Sequence, residues 1–227
     1  MGAASAPMPA DAWAASQVVR DRRAVAEEWI ATKVGALIEH LRFLGTAIRD
    51  RYVGAVAPTP KGSVRAVCEP MDISRPVTVV EYGPGTGVFT RYLKRRLHPE
   101  STVLALELNE FFAETLTERL AKTASGAQVH VVNDDCRNVE RWLEHYGLGG
   151  ADYILSGIPF SFLDEPSRRE IIARTASALT PEGLFLVYQY SFMVAPYLEE
   201  RFELVRRSRR FLHVPPLCMM QGHKLVA

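Results

Sequence analysis

The chain has 227 residues, 48% of them hydrophobic, and its 27 lysines and arginines nearly balance 26 aspartates and glutamates for a net charge of +1. That length fits one domain with an appendage, and the apolar content excludes disorder as the general state. The near-neutral balance excludes a protein devoted to coating DNA or RNA, so no nucleic-acid partner is expected.

The charge is uneven, with nine Lys/Arg against six Asp/Glu in residues 1–65 and a bunching of Arg206, Arg207, Arg209 and Arg210 near the end. Cys68, Cys136 and Cys218 are far apart, and neither they nor the six histidines form a ligand pattern. Reduced thiols in a cytosolic protein and no metal are the expectation. The first fifteen residues lack the basic and apolar regions of a secretory signal. The longest uncharged run, Gly183–Leu198, is too short for a spanning helix and contains Gln189 and Pro196. A soluble or peripheral protein is expected.

In chain order, residues 1–15 read as a flexible tail and residues 16–72 as a helical extension. Within the extension, Ile30, Val34, Leu37, Leu41, Leu44 and Ile48 recur at alternating spacings of four and three, one stripe of a helix. Gly54, Pro58, Pro60 and Gly62 end that helix near Tyr52, and a shorter one follows over Ser63–Met71 with Ser63 as its cap. From residue 73 the character changes. Strands are predicted at Val77–Glu81, Thr102–Leu106, Val129–Val132, Tyr153–Leu155 and Leu184–Tyr188. Helices are predicted between them, at Val88–Leu97, Glu110–Ala121, Val139–Tyr146 and Pro166–Leu179. This alternation predicts an α/β domain with a mostly parallel, seven-stranded, Rossmann-like sheet. Phe202–Ser208 and Cys218–Val226 have no helix between them and predict an antiparallel hairpin at one edge.

Glu81-Tyr82-Gly83-Pro84-Gly85-Thr86-Gly87 falls between the first strand and its helix, where glycines let the backbone approach a ligand. The third glycine comes one residue early for a dinucleotide site, and a phosphate loop would need Gly-Lys-Ser/Thr. Glu107 ends the next strand, placed to accept two ribose hydroxyls, and Asn133-Asp134-Asp135-Cys136 ends the third, where an acid can accept from an adenine amine. Acids at successive strand ends gather where open α/β sheets bind ligands.

These stretches resemble motifs I, II and III of class I S-adenosylmethionine (SAM)-dependent methyltransferases. The resemblance implies that Gly83, Gly85 and Gly87 line the methionine part of SAM, with Tyr82 in the same loop. It also implies that Glu81 orients the ammonium group directly or through water. Glu107, with Leu108 beside it, would hold the ribose. Asp135 would meet the adenine ahead of Asp134, because the family's acid precedes a small residue, here Cys136.

Ser156-Gly157-Ile158-Pro159-Phe160 resembles the loop of amino-group methyltransferases that accepts from the nucleophilic nitrogen, with Ser156 in place of an amide and Phe160 as the aromatic. Leu41–Leu44, Val53–Pro60, Gln189-Tyr190-Ser191-Phe192 and Arg210-Phe211…Val214-Pro215-Pro216 are similar to elements of bacterial phospholipid N-methyltransferases. In that family Thr59 would stand near the cofactor carboxylate, and the His213 position departs from the pattern. The implied function is SAM-dependent N-methylation of phosphatidylethanolamine towards phosphatidylcholine at the inner face of the cytoplasmic membrane. Phe160, Tyr188 and Tyr190 would then surround the amine, since aromatic faces favour a cation. The Ile30–Ile48 stripe would lie on the bilayer with Arg42, Arg49 and Arg51 near anionic headgroups, although a helix packed on the sheet accounts for it equally. Methylation of ornithine lipid, of a small-molecule amine or of an RNA adenine are the competing enzymatic readings, and a SAM-binding subunit without catalysis is the non-enzymatic one.

Overall fold

Apolar runs rich in Val, Leu and Ile build the centre of the molecule, which a computed structural model describes over residues 61–123, 125–210 and 216–224. Helix α1 (Lys61–Cys68) precedes strand β1 (Thr78–Tyr82), helix α2 (Val88–Arg96), β2 (Thr102–Glu107) and α3 (Glu110–Ala121). Then come β3 (Gln128–Asn133), a 3₁₀ turn at Cys136–Asn138, α4 (Val139–His145) and β4 (Ala151–Ser156). A second 3₁₀ turn (Phe160–Phe162) leads to α5 (Glu165–Ala178), β5 (Leu179–Gln189), α6 (Ala195–Glu199), β6 (Phe202–Arg210) and β7 (Leu217–Lys224).

One sheet holds seven strands in the order β3-β2-β1-β4-β5-β7-β6. The first five are parallel, and β7 pairs antiparallel with both β5 and β6, the expected hairpin. The chain lays β2 and β3 on one side of β1 and β4 and β5 on the other. The loops leaving β1 and β4 therefore diverge and open a crevice at the strands' carboxyl ends. Both faces are covered, which is why β1 and β2 read as continuous apolar runs rather than alternating ones. One face packs α4, α5 and α6 through Val139, Leu143, Ile171, Ile172 and Leu198. The other packs α1 and α2 through Val64, Val67, Phe89 and Leu93.

Three boundaries depart from the sequence reading. Helix α1 is already underway at Lys61, so Ser63 is a buried residue of its first turn rather than a cap. Val64, Val67, Cys68 and Met71 of this segment pack with Val79 and Phe89, so it belongs to the core of the sheet domain rather than to the extension. Strand β5 starts at Leu179, five residues early, because Leu179 pairs with Ala151 before the register shifts towards Tyr153–Leu184. A Cβ on Gly183 would sit 2.8 Å from Leu179 and 3.0 Å from the Ala151 carbonyl oxygen, which accounts for a glycine in that irregularity. Helix α5 has Asp164 as its cap, with the carboxylate accepting from Ser167 N–H, and ends at Ala178. The tail, the Ile30–Ile48 stripe, Arg42, Arg49, Arg51, Leu41–Leu44, Val53–Pro60 with Thr59, and 211–215 lie outside the described residues. Among those described, no helix is long and apolar enough to cross a membrane.

Candidate active site

The loop after β1 turns through three glycines in the left-handed region, Gly83 at φ 65°, Gly85 at 52° and Gly87 at 73°. They serve different ends. A Cβ on Gly87 would lie 2.2 Å from Leu116 Cδ1 of α3, so that glycine permits helix packing. At Gly85 a Cβ would meet nothing within 4 Å, so its open side faces room for a ligand. The Thr86 carbonyl accepts from Arg91 at 2.5 Å and from Arg119 at 3.3 Å, which fixes the outer side of the turn.

Among the described residues two buried side-chain polar atoms have no hydrogen-bond partner, Glu81 Oε1 and Ser156 Oγ. They stand at the ends of adjacent strands β1 and β4, on either side of the crevice. Such an atom costs about 1–3 kcal/mol when left unmade, so each marks a carboxyl-end position that a polar ligand would complete, Ser156 level with Tyr82 and Glu81 one residue earlier on the opposite face of the pleat. The other Glu81 oxygen accepts from the Thr90 hydroxyl at 2.6 Å. Burial pushes the Glu81 carboxyl up to about 7, against the Thr90 hydrogen bond that favours its ionised form.

Glu107 Oε2 accepts from Gly85 N–H at 2.8 Å and Oε1 from Asn109 N–H at 3.0 Å, so the carboxylate braces the glycine loop against the start of α3. Burial raises its pKa while these backbone donors oppose the rise. A carboxylate has about four acceptor positions, so Glu107 retains capacity for a ligand hydroxyl. Leu108 beside it is 72% exposed. Asn133 donates to the carbonyls of Glu107 and Leu108 at 2.9 and 3.0 Å, tying the third loop to the second.

The two aspartates separate by satisfiability. Asp134 Oδ1 takes Asp135 N–H and the Asn138 amide, and Oδ2 takes Arg141 and the Trp142 indole N–H, all at 2.7–2.9 Å. Burial works against its ionisation, but these four donors outweigh it and hold the carboxyl below the usual range. Asp134 is thus saturated and anchors the loop to α4, which corrects its assignment as an adenine contact. Asp135 takes the Arg137 side chain and backbone N–H, at 2.6 and 2.9 Å, with the half-buried Cys136 beside it, and keeps acceptor capacity.

Other residues fall elsewhere than expected. The Tyr82 side chain is fully buried on the α5 face, its hydroxyl accepting from Thr175 at 3.3 Å, because strand pleating turns it away from Glu81. Its contribution to the crevice is the backbone, with its carbonyl accepting from Gly157 N–H at 3.2 Å. The three aromatics do not form a ring. Phe160 is fully buried in the core on the α5 face, whereas Tyr188 packs on the opposite face against Phe89, with centroids 4.3 Å apart. Tyr190 is 37% exposed at the end of β5. The parity of the pleat separates them.

Tyr188 nonetheless shapes the site, because a Cβ on Gly157 would lie 2.3 Å from its hydroxyl. Ile158 Cγ2 would sit 2.9 Å from a Cβ on Gly83, so the loops after β1 and β4 touch. Residues to which the sequence reading gave no role of their own include Thr90, Asn109, Asn133, Trp142 and Arg168. Arg168 Nε donates to the Phe160 carbonyl at 2.9 Å and Nη1 to the Tyr197 hydroxyl at 3.3 Å, latching the Ser156–Phe162 loop to α5 and α6. Only Asn109 carried a signal, an Asn immediately before a helical run, and it does cap α3.

The chain's likenesses to known proteins agree with this arrangement. Residues 79–183 match the methyltransferase domain family. The ornithine lipid N-methyltransferase of Singulisphaera acidiphila is 31% identical over 144 residues, which are 63% of this chain and 73% of that protein. Two solved structures share the fold. Precorrin-6y C5,15-methyltransferase from Geobacter metallireducens has a TM-score of 0.58 at 15% identity, covering 78% of this chain and 95% of that one. Magnesium protoporphyrin IX methyltransferase from Synechocystis, solved with bound SAM, has a TM-score of 0.56 at 13% identity, covering 72% and 77%. With this relative, this domain and this sheet, the chain belongs to the class I SAM-dependent methyltransferases, and SAM is its cofactor.

Proposed function

We propose that the chain methylates the primary amine of a membrane aminolipid. The observation that carries the reading is the pair of unpartnered polar atoms, Glu81 Oε1 and Ser156 Oγ, at the ends of β1 and β4. One suits an ammonium donor and the other an incoming amine. The identity to an ornithine lipid N-methyltransferase supports a lipid acceptor and favours ornithine lipid over phosphatidylethanolamine, which the loop motifs alone suggested.

SAM, when bound, supplies an electrophilic methyl group on a sulfonium centre. The chain's residues hold and orient. Glu81 Oε1 accepts from the cofactor ammonium, and Glu107 accepts from the ribose hydroxyls with its remaining positions. Asp135 accepts from the adenine amine, with Leu108 and Cys136 packing on its faces. At the other side of the crevice the Ser156 hydroxyl accepts an N–H of the acceptor amine. That aims the nitrogen lone pair while Gly157 and Ile158 bring their backbone close. Catalysis here is chiefly alignment and exclusion of water, since the nitrogen must arrive unprotonated and in line.

The test uses purified protein, methyl-labelled SAM, and vesicles containing either ornithine lipid or phosphatidylethanolamine, followed by lipid chromatography. Label in mono-, di- or trimethylated lipid is expected, with ornithine lipid the better acceptor. SAM binding without any labelled lipid would overturn the reading.

A further inference from the structure

Strand register places Arg209 at the acceptor end of the sheet. Arg209 on β6 pairs with Cys218 on β7, which pairs with Gln189 at the carboxyl end of β5. Arg209 therefore stands two strands, roughly 10 Å, from the end of β5. Alternation puts Arg207 and Arg209 on the face where Val205 packs against the α5-side core, and Arg206 on the other. Arg207 is paired with Glu199. Arg209 has no acid within ion-pair distance among the described residues, and its guanidinium carbon lies 5.0 Å from the centroid of Phe192.

That ring is held in place. Gln189 Nε2 donates to the Ser191 carbonyl at 2.8 Å, pinning the short loop that presents Tyr190 and Phe192 beside the candidate acceptor site. A guanidinium stacked on a ring spends its flat face and keeps its in-plane N–H groups, the edge that grips phosphate or carboxylate in a bidentate way. The rest of the crevice carries Glu81, Glu107 and Asp135, which repel an anion. A zwitterionic headgroup brings both an amine and an anion, so its anion needs a cation on the acceptor side.

We propose that Arg209, stacked on Phe192, binds the phosphate or carboxylate that accompanies the amine in a zwitterionic lipid headgroup. This rests on the lipid N-methylation reading above and names the element that selects such headgroups. The phosphate of phosphatidylethanolamine and the carboxylate of ornithine lipid share the chemistry.

The experiment measures KM and kcat of the full chain on vesicles of each lipid, with SAM affinity by calorimetry, for wild type, Arg209→Gln, Arg209→Lys and Arg206→Gln. Arg209→Gln is expected to raise KM for the lipid by about tenfold to a hundredfold, leaving SAM affinity and kcat within about twofold. Arg209→Lys recovers part of the loss, since it restores charge without the fork. Arg206→Gln, the same charge change on the opposite face, behaves as wild type. A rise with one lipid alone assigns the anion as its phosphate or its carboxylate. Unchanged KM in Arg209→Gln overturns the proposal, as does an equal rise in Arg206→Gln, which would mean general surface attraction. Should Arg209→Gln lose SAM binding, Arg209→Lys decides, a severalfold rise in KM supporting the proposal and no rise overturning it. Wild type that binds SAM and labels neither lipid removes the lipid reading and this proposal together.

Discussion

Glu81 shows how one side chain trades stability for binding. Burial, helped by the nearby Glu107 carboxylate, lifts its carboxyl from the ordinary range to about 7, so the folded chain keeps a proton that the unfolded chain has already lost. With more protons bound to the folded state between about pH 4.5 and 7, stability falls as pH rises through that window and levels off above it. Glu81→Gln removes the titration. It should melt higher than wild type at pH 8, by the equivalent of about 1–3 kcal/mol, while binding SAM more weakly. Thermal melts at pH 5 and pH 8 check the first half, and a lower melting temperature at pH 8 would sink it. A cationic ammonium favours ionised Glu81, so SAM affinity should rise with pH up to about 7 and then plateau, with proton release measurable by calorimetry in two buffers. Glu107→Ala loses the brace on Gly85 as well as the proposed ribose contact and should weaken SAM by about tenfold to a hundredfold. Unchanged affinity would remove Glu107 from the site. Both acids were legible in the sequence because each closes an apolar run. Thr90 was not, since its bond to Glu81 depends on α2 folding back over β1.

At the scale of elements, the loops are set by packing that no linear pattern displays. Trp142 on α4 reaches back to Asp134, and Arg141 and Asn138 complete the clamp, so α4 fixes the height of the loop carrying Asp135. Trp142→Phe keeps the ring and deletes one donor to a half-buried carboxylate. It should cost about 1–3 kcal/mol of stability and loosen SAM binding severalfold, read by denaturant unfolding and calorimetry. Wild-type values for both would reduce Trp142 to surface packing. Gly157→Ala drives a methyl into Tyr188 and should lower methyl transfer far more than SAM affinity, because the clash lies in the loop after β4. The sequence disclosed the strands, their order of alternation and the glycine turn, because these follow from periodicity and glycine chemistry. Phe160 and Tyr82 were misplaced because which face a loop-end side chain takes depends on pleat parity and loop closure, which residue types do not encode.

For the whole molecule, the parallel sheet sends every ligand-facing loop to one end, and the exposed large hydrophobics gather there too. Leu108, Phe162 and Tyr190 follow β2, β4 and β5 respectively, and all three are at least 37% exposed. On the proposed lipid reading, an end that is apolar at its tips and carries Arg209 at its edge would meet the boundary between headgroups and acyl chains. On that same proposed reading, the Ile30–Ile48 stripe and the excess of nine basic over six acidic residues in the first 65 would add a second attachment to the bilayer. The two contributions separate by truncation. Removing residues 1–40 takes away Ile30, Val34 and Leu37 of the stripe together with four basic and five acidic residues, but leaves Arg42, Arg49 and Arg51, the glycine loop, both acids and the acceptor loop intact. Because the deleted segment carries no net positive charge, vesicle co-sedimentation should fall several-fold through the lost apolar contact, on neutral and anionic vesicles alike, while SAM affinity stays within about twofold. Vesicle binding equal to that of the full chain would return the stripe to a packing role and leave attachment to the loop end, where Phe162→Ser and Tyr190→Ser then become the substitutions that detach the enzyme.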